Sequence, residues 1–202
     1  GLFDLQQYAN AEKAITRVLA EVSLNNDQRL NFKERRAQTI YKQAEAYKQQ
    51  ENFPLAIAEY QRMINTEPNA SIRPNAEIDV ATLMMNLQQW QNAKLALEGF
   101  RGRFSAHPLA DGLDEKLALV YEKLENWSDA ADVYQRLGSR ERDPQKAREI
   151  QWYVAELYLK ANNIESAIDA FKSYYWNHQP PFLQAIEAQA KLIDLYQQVG
   201  DQ

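Results

Sequence analysis

The sequence predicts an all-α solenoid of stacked helical hairpins, and three observations predict it. First, residues recur every 37 positions. Two columns are alanine: Ala44, Ala81, Ala118 and Ala155, then Ala56, Ala93, Ala130 and Ala167. Four are large and apolar: Phe53, Trp90, Trp127 and Ile164; Tyr60, Leu97, Tyr134 and Phe171; Tyr47, Met84, Tyr121 and Tyr158; Met63, Phe100, Leu137 and Tyr174. A fixed period of about 20–50 residues is the mark of a repeat architecture. Second, the columns have helical spacing. Ala44 and Tyr47 lie one turn apart on a first helix, A, and Ala56, Tyr60 and Met63 fall on one face of a second, B. Third, the chain holds only six glycines and seven prolines among 202 residues, which suits continuous helix. The alanines let two backbones approach, and the large residues fill the wedge between one hairpin and the next.

The chain divides accordingly. Residues 1–24 read as a lone helix B, since Tyr8, Ala11 and Ile15 have the spacing of Phe53, Ala56 and Tyr60. A loop is expected around SLNNDQRL, with Asn26 or Asp27 as N-cap. Hairpins follow over residues 25–68, 69–105, 106–142 and 143–180. In the first, Pro54 sits where a missing N–H costs little, and Pro68 stops the helix. In the second, Pro74 falls in the first turn of helix A, and His107-Pro108 closes the copy. The third runs over about Leu109–Leu124 and Trp127–Leu137, with Asn126 or Ser128 capping and Gly138 as C-cap. In the fourth, Tyr175 and Trp176 are expected to pack beneath Phe182, the alternative being an exposed partner patch. Residues 181–202 read as a lone helix A, Tyr196 matching Tyr158, with Leu192, Ile193, Leu195 and Tyr196 as an apolar stripe. The two ends are expected to be cut from a longer array.

The pattern Ala44, Tyr47, Ala56, Tyr60, Pro68 resembles the tetratricopeptide repeat (TPR), and the later copies match at Ala81, Ala93 and Leu97; Ala118, Tyr121, Ala130 and Tyr134; and Ala155, Tyr158, Ala167 and Phe171. The departure is the period, 37 here against the family's usual length of about 34. The resemblance implies a right-handed α-α superhelix, a TPR solenoid of stacked antiparallel helix hairpins. The rhythm is also similar to bacterial envelope TPR proteins, among them the outer-membrane-assembly lipoproteins and the Tol-Pal coordinator family. That likeness implies a periplasmic address in preference to a cytoplasmic one.

Composition narrows the chemistry. The net charge is −5, which argues against nucleic acid as a partner. The basic clusters Lys33, Arg35, Arg36 and Arg136, Arg140, Arg142, Lys146, Arg148 are interleaved with acids and read as solvated helix ends and loops. There is no cysteine, so thiol catalysis and thiolate metal sites are excluded. No apolar run is long enough to span a membrane. His107 and His178 lie beside prolines without metal-ligand spacing and read as loop caps. Single carboxylates such as Glu45, Glu115, Glu122 and Glu156 lack a predicted shared pocket. Neither a catalytic set, a metal nor a cofactor is expected, and the chain reads as no enzyme.

In TPR proteins helix A lines a concave groove. The resemblance therefore assigns that face Tyr41, Glu45 and Lys48; Ile78, Thr82 and Met85; Leu119 and Glu122; and Trp152, Glu156 and Leu159. The Lys, Arg and Asn pattern that grips a C-terminal carboxylate is absent from it. Apolar anchors beside carboxylates suit a peptide or partner helix. The expected function is a protein–protein interaction scaffold. The alternatives are a structural spacer or self-association segment of a larger repeat protein, with homodimers forming through uncapped ends, or a regulatory arm of a multidomain protein.

Overall fold

A computed structural model describes residues 2–200, with side chains from Leu5 onward. Ten α-helices account for nearly all of the described residues, and none of them is in a strand. The chain divides into two compact units after Asp111.

In the first unit, α1 (Leu2–Glu21), α2 (Asn26–Gln49), α3 (Phe53–Thr66), α4 (Arg73–Asn86) and α5 (Trp90–Arg103) each pack on the next. A single 3-10 turn, Pro108–Ala110, follows. Asn25, one residue earlier than expected, caps α2 in a capping box with Gln28, because Gln28 is placed to return the bond to the cap backbone. Pro54 and Pro74 occupy first turns. The core of α2, α3 and α4 is built on Ala37, Ile40, Ala44, Ala56, Tyr60 and Met63, with Val80 and Leu83 from α4. Ala11 is exposed, unlike the alanines of its column.

The second unit holds α6 (Leu113–Lys123), α7 (Trp127–Arg140), α8 (Pro144–Lys160), α9 (Ile164–Asn177) and α10 (Phe182–Gly200), again packed in chain order. α6 starts at Leu113, later than expected, because residues 108–110 wind as the 3-10 turn. Asn126 precedes α7 without a side-chain cap bond. Gly138 lies inside α7 and ends nothing. A Cβ there would meet Ile150 Cγ2 of α8 at 2.9 Å, so this glycine serves close helix approach. In both units the eight column alanines are at most 2% exposed, as small side chains packed between helices require.

The hairpin turns carry a further period that the columns did not reveal. Glu51, Gln88, Glu125 and Asn162 all have positive φ, between 55° and 57°. Each is followed by a backbone bond that closes the preceding helix, Asn52 N to Tyr47 O, Gln89 N to Met84 O, Asn126 N to Tyr121 O and Asn163 N to Tyr158 O. This is the left-handed helix stop usually filled by glycine; none of these four is glycine.

Of the basic clusters, Arg36 alone departs clearly from a solvated helix end, while Arg136 and Arg140 stay exposed but are paired with an acid. Arg36 pairs with the buried Glu67 at 2.5 Å and is itself only 18% exposed. Glu77 is held by Arg73 and Arg103, and Asp114 by Arg136 and Arg140. Both acids are 7% exposed, so their charges require these partners. Glu77 and Asp114, and Arg103 and Arg140, stand one period apart, so the α4–α5 and α6–α7 hairpins carry the same acid–arginine clamp.

Candidate partner-binding cleft

The helix A faces carry the expected groove residues, and the structure divides them into two kinds. In the first unit Tyr41, Glu45 and Lys48 are held in a network with Tyr60 and Asp79. Tyr41 donates its hydroxyl to Asp79 Oδ2 at 2.5 Å, and its ring meets Tyr60 edge-on at 5.0 Å. Lys48 Nζ lies 2.6 Å from Glu45 and 3.2 Å from Asp79. Tyr60 donates to Glu45. This network ties α2 to α3 and to α4. Burial opposes ionisation of Glu45, yet the bonds from Lys48 and Tyr60 hold its carboxyl below the ordinary range. Burial, then Asp79, pushes the Tyr41 phenol above its ordinary value, and burial with Glu45 does the same for Tyr60. Ile78, Thr82 and Met85 are half-buried on α4.

In the second unit Leu119 is 41% exposed, while Glu122 accepts from the Tyr153 hydroxyl at 2.9 Å. Burial and then that carboxylate push the Tyr153 phenol up to about 12. Glu122 and Tyr153 are 31 residues apart, as are Lys48 and Asp79, so one helix A to helix A link takes different chemistry in each unit. Leu159 is half-buried. Trp152 packs edge-on against Phe171 at 5.1 Å and Tyr174 at 5.2 Å, both on α9.

Trp152 and Glu156 also line a cleft of about 660 Å³ between α8, α9 and α10. Three carboxylates, Glu149, Glu156 and Glu187, and three rings, Trp152, Tyr153 and Tyr174, form most of its wall. Arg148, Gln145, Pro181 and Gln184 complete it. The volume falls in the range of small-ligand and peptide sites, about 300–1,000 Å³. Gln184 and Glu187 were not among the residues expected from sequence. The signal was present: with Tyr196 set in register with Tyr158, Glu187 stands at the position of Glu149.

His107 accepts the Leu109 N–H at its Nδ1 and caps the 3-10 turn, as expected. His178 ends α9, and burial together with Arg148 lowers its pKa. The expected packing of Trp176 beneath Phe182 is overturned. Trp176 is 72% exposed and Phe182 77%, because two residues beyond Tyr174 a side chain emerges on the far side of α9. Tyr175 instead meets Trp176 edge-on at 4.8 Å. Among the described residues no helix is long and apolar enough to cross a membrane.

Comparison with curated proteins finds no match. Among solved structures the chain is similar to residues 41 to the end of MamA from Desulfovibrio magneticus RS-1, at 14% identity and TM-score 0.46, over 92% of this chain and 97% of that one. It is similar to BtubC (BKLC) from P. vanneervenii at 12% identity and TM-score 0.47, over 98% and 84%. Kinesin light chain TPR-like repeats from Podosopora anserina match at 16% identity and TM-score 0.43, over 92% and 89%. The family model described as tetratricopeptide repeat matches residues 38–70 and 115–148, one stretch in each unit. The matched stretches fall on the α2–α3 and α6–α7 hairpins, which are tetratricopeptide repeats.

Proposed function

We propose that this chain is a non-enzymatic protein-binding scaffold whose second unit seats a peptide or partner helix in the cleft between α8, α9 and α10. The supporting observation is the wall of that cleft, where aromatic faces stand beside three carboxylates. Rings offer rigid apolar area for an anchor residue. An acidic lining with a single arginine favours a partner segment that carries lysine or arginine. In the first unit Tyr41, Glu45 and Lys48 are bonded within a network that includes Tyr60 and Asp79, so they fit the array's own stiffness better than partner contact. The remaining groove positions, Ile78, Thr82, Met85, Leu119, Glu122 and Leu159, are secondary contacts in this reading.

A photo-cross-linking residue placed at Gln184 tests the proposal. Gln184 lines the cleft and is solvent-exposed. The same residue at Asp169, exposed on α9 and absent from the cleft wall, is the control. Specific capture from 184 but not 169, lost on Glu156→Lys with Glu187→Lys, is the expected result. Equal capture from both positions contradicts the cleft as the binding site.

A further inference from the structure

We propose that the cleft between α8, α9 and α10 takes an arginine side chain of the partner, laid on the Trp152 ring with its guanidinium between Glu156 of α8 and Glu187 of α10. The inference rests on the reading of this cleft as the partner site and names the residue that anchors there.

The cleft is open because the link that joins neighbouring A helices elsewhere is missing from it. Between α2 and α4 that link is Asp79, which accepts from Tyr41 at 2.5 Å and lies 3.2 Å from Lys48. Between α6 and α8 it is Tyr153, which stands at the position of Asp79 two periods on. Tyr153 donates to Glu122 at 2.9 Å and meets Tyr134 edge-on at 5.0 Å. With Tyr196 set in register with Tyr158, Lys191 takes that position on α10, and Leu159 takes the position of Lys48 and Glu122 on α8. An ammonium and an isobutyl group form no bond with one another. Among the described residues no hydrogen bond or ion pair joins α8 to α10. The opening is thus set by the residue types at one repeat position, between two helices that are both present.

The walls of the gap call for a cation. Glu149, Glu156 and Glu187 line it against a single guanidinium, Arg148. Glu149 accepts from Gln145 of its own helix at 3.1 Å, whereas Glu156 and Glu187 have no hydrogen bond or ion pair among the described residues. Arg148 forms no ion pair with any of the three, and its charge is felt instead at Tyr174 and His178. The aromatic wall is likewise unclaimed. Trp127 holds Lys160 Nζ 4.9 Å from its ring centre, but Trp152 meets the rings of Phe171 and Tyr174 and no cation, and stays half-buried. One cation over that indole and beside the two glutamates satisfies all three groups. Arginine suits the place better than lysine. Its planar guanidinium stacks on a ring while its fork of donors reaches two carboxylates, whereas an ammonium is a compact, strongly hydrated charge. The bound side chain supplies the missing link between α8 and α10.

The probes are N-acetylarginine amide, its neutral isostere N-acetylcitrulline amide, and N-acetyllysine amide. Each is titrated into the isotope-labelled chain and read at the indole N–H signals of the four tryptophans, with Trp152 assigned by Trp152→Phe. The arginine probe should shift the Trp152 signal saturably and leave those of Trp90 and Trp127 in place. The lysine probe should bind about tenfold less tightly, the loss of one charge-assisted hydrogen bond and of the stack. The citrulline probe should leave Trp152 unmoved. The arginine response should be lost in Glu156→Gln with Glu187→Gln, both exposed positions, with unchanged Trp90 and Trp127 signals showing that the fold is kept. The proposal is overturned if the arginine probe leaves Trp152 unmoved, if the citrulline or lysine probe matches it, or if the double glutamine variant binds it unchanged. Specific capture of a partner from position 184 alongside any of those results overturns the arginine anchor and leaves the cleft as a partner site. Equal capture from 184 and 169 removes the site itself, and the anchor with it.

Discussion

At the scale of single residues, the chain uses its charges mostly on itself. Glu12 of α1 accepts from Gln43 of α2 at 2.7 Å and from Arg62 of α3, whose Nη2 lies 2.9 Å away. Burial alone would raise the Glu12 pKa, but the bonds from Arg62 and Gln43 bring it below the ordinary 4.5. A depressed carboxyl favours the folded state while ionised, so its contribution is intact above about pH 4.5 and is lost as pH falls through the lowered value. Urea unfolding midpoints measured from pH 6 to pH 3 should therefore fall less steeply for Glu12→Gln than for the parent. Identical slopes would show that this carboxylate is not linked to folding. Little of this was legible in the sequence. Arg36, Arg136 and Arg140 looked like solvated ends because their acids, Glu67 and Asp114, lie far away in the chain or on another helix. Only the packing of those helices brings them together.

At the scale of elements, the helices were legible and their ends were not. The alanine and aromatic columns place every hairpin, since burial alternates with the helical period and leaves its mark on composition. Ends depend on one or two backbone bonds, and those moved the α2 cap to Asn25, delayed α6 to Leu113 and took Gly138 into α7. The turns at Glu51, Gln88, Glu125 and Asn162 escaped notice because a polar residue there carries no sign of its positive φ. A left-handed non-glycine residue costs about 1–2 kcal/mol, partly offset by the extra freedom glycine has in the unfolded chain. Gln88→Gly should accordingly raise stability by about 0.5–1 kcal/mol, read as a higher urea midpoint at unchanged slope. Asn162→Gly should gain less, because asparagine tolerates this conformation better. A loss of stability in Gln88→Gly would mean that its side chain is worth more than the backbone strain.

At the scale of the whole molecule, the repeat explains folding, and departures from it point to function. Tyr41 and Trp152 occupy one column of the helix A face, and both rings meet a core residue of their own hairpin, Tyr60 and Phe171. The groove face is thus partly core, which is why residue type alone could not separate binding positions from packing positions. What distinguishes the second unit is geometry, the cleft that α10 closes beside Trp152 with Glu187 added from a helix whose register with α8 has to be set before that residue is seen. The most direct test of the scaffold reading is the affinity of the cross-linked partner segment, titrated calorimetrically into the parent chain and into Glu156→Lys with Glu187→Lys. Both glutamates are exposed, so the fold is retained. Binding should weaken about tenfold or more in the variant, equivalent to about 1.4 kcal/mol, and should weaken in the parent as salt rises. An unchanged affinity in the charge-reversed chain would contradict the cleft as the site of partner binding.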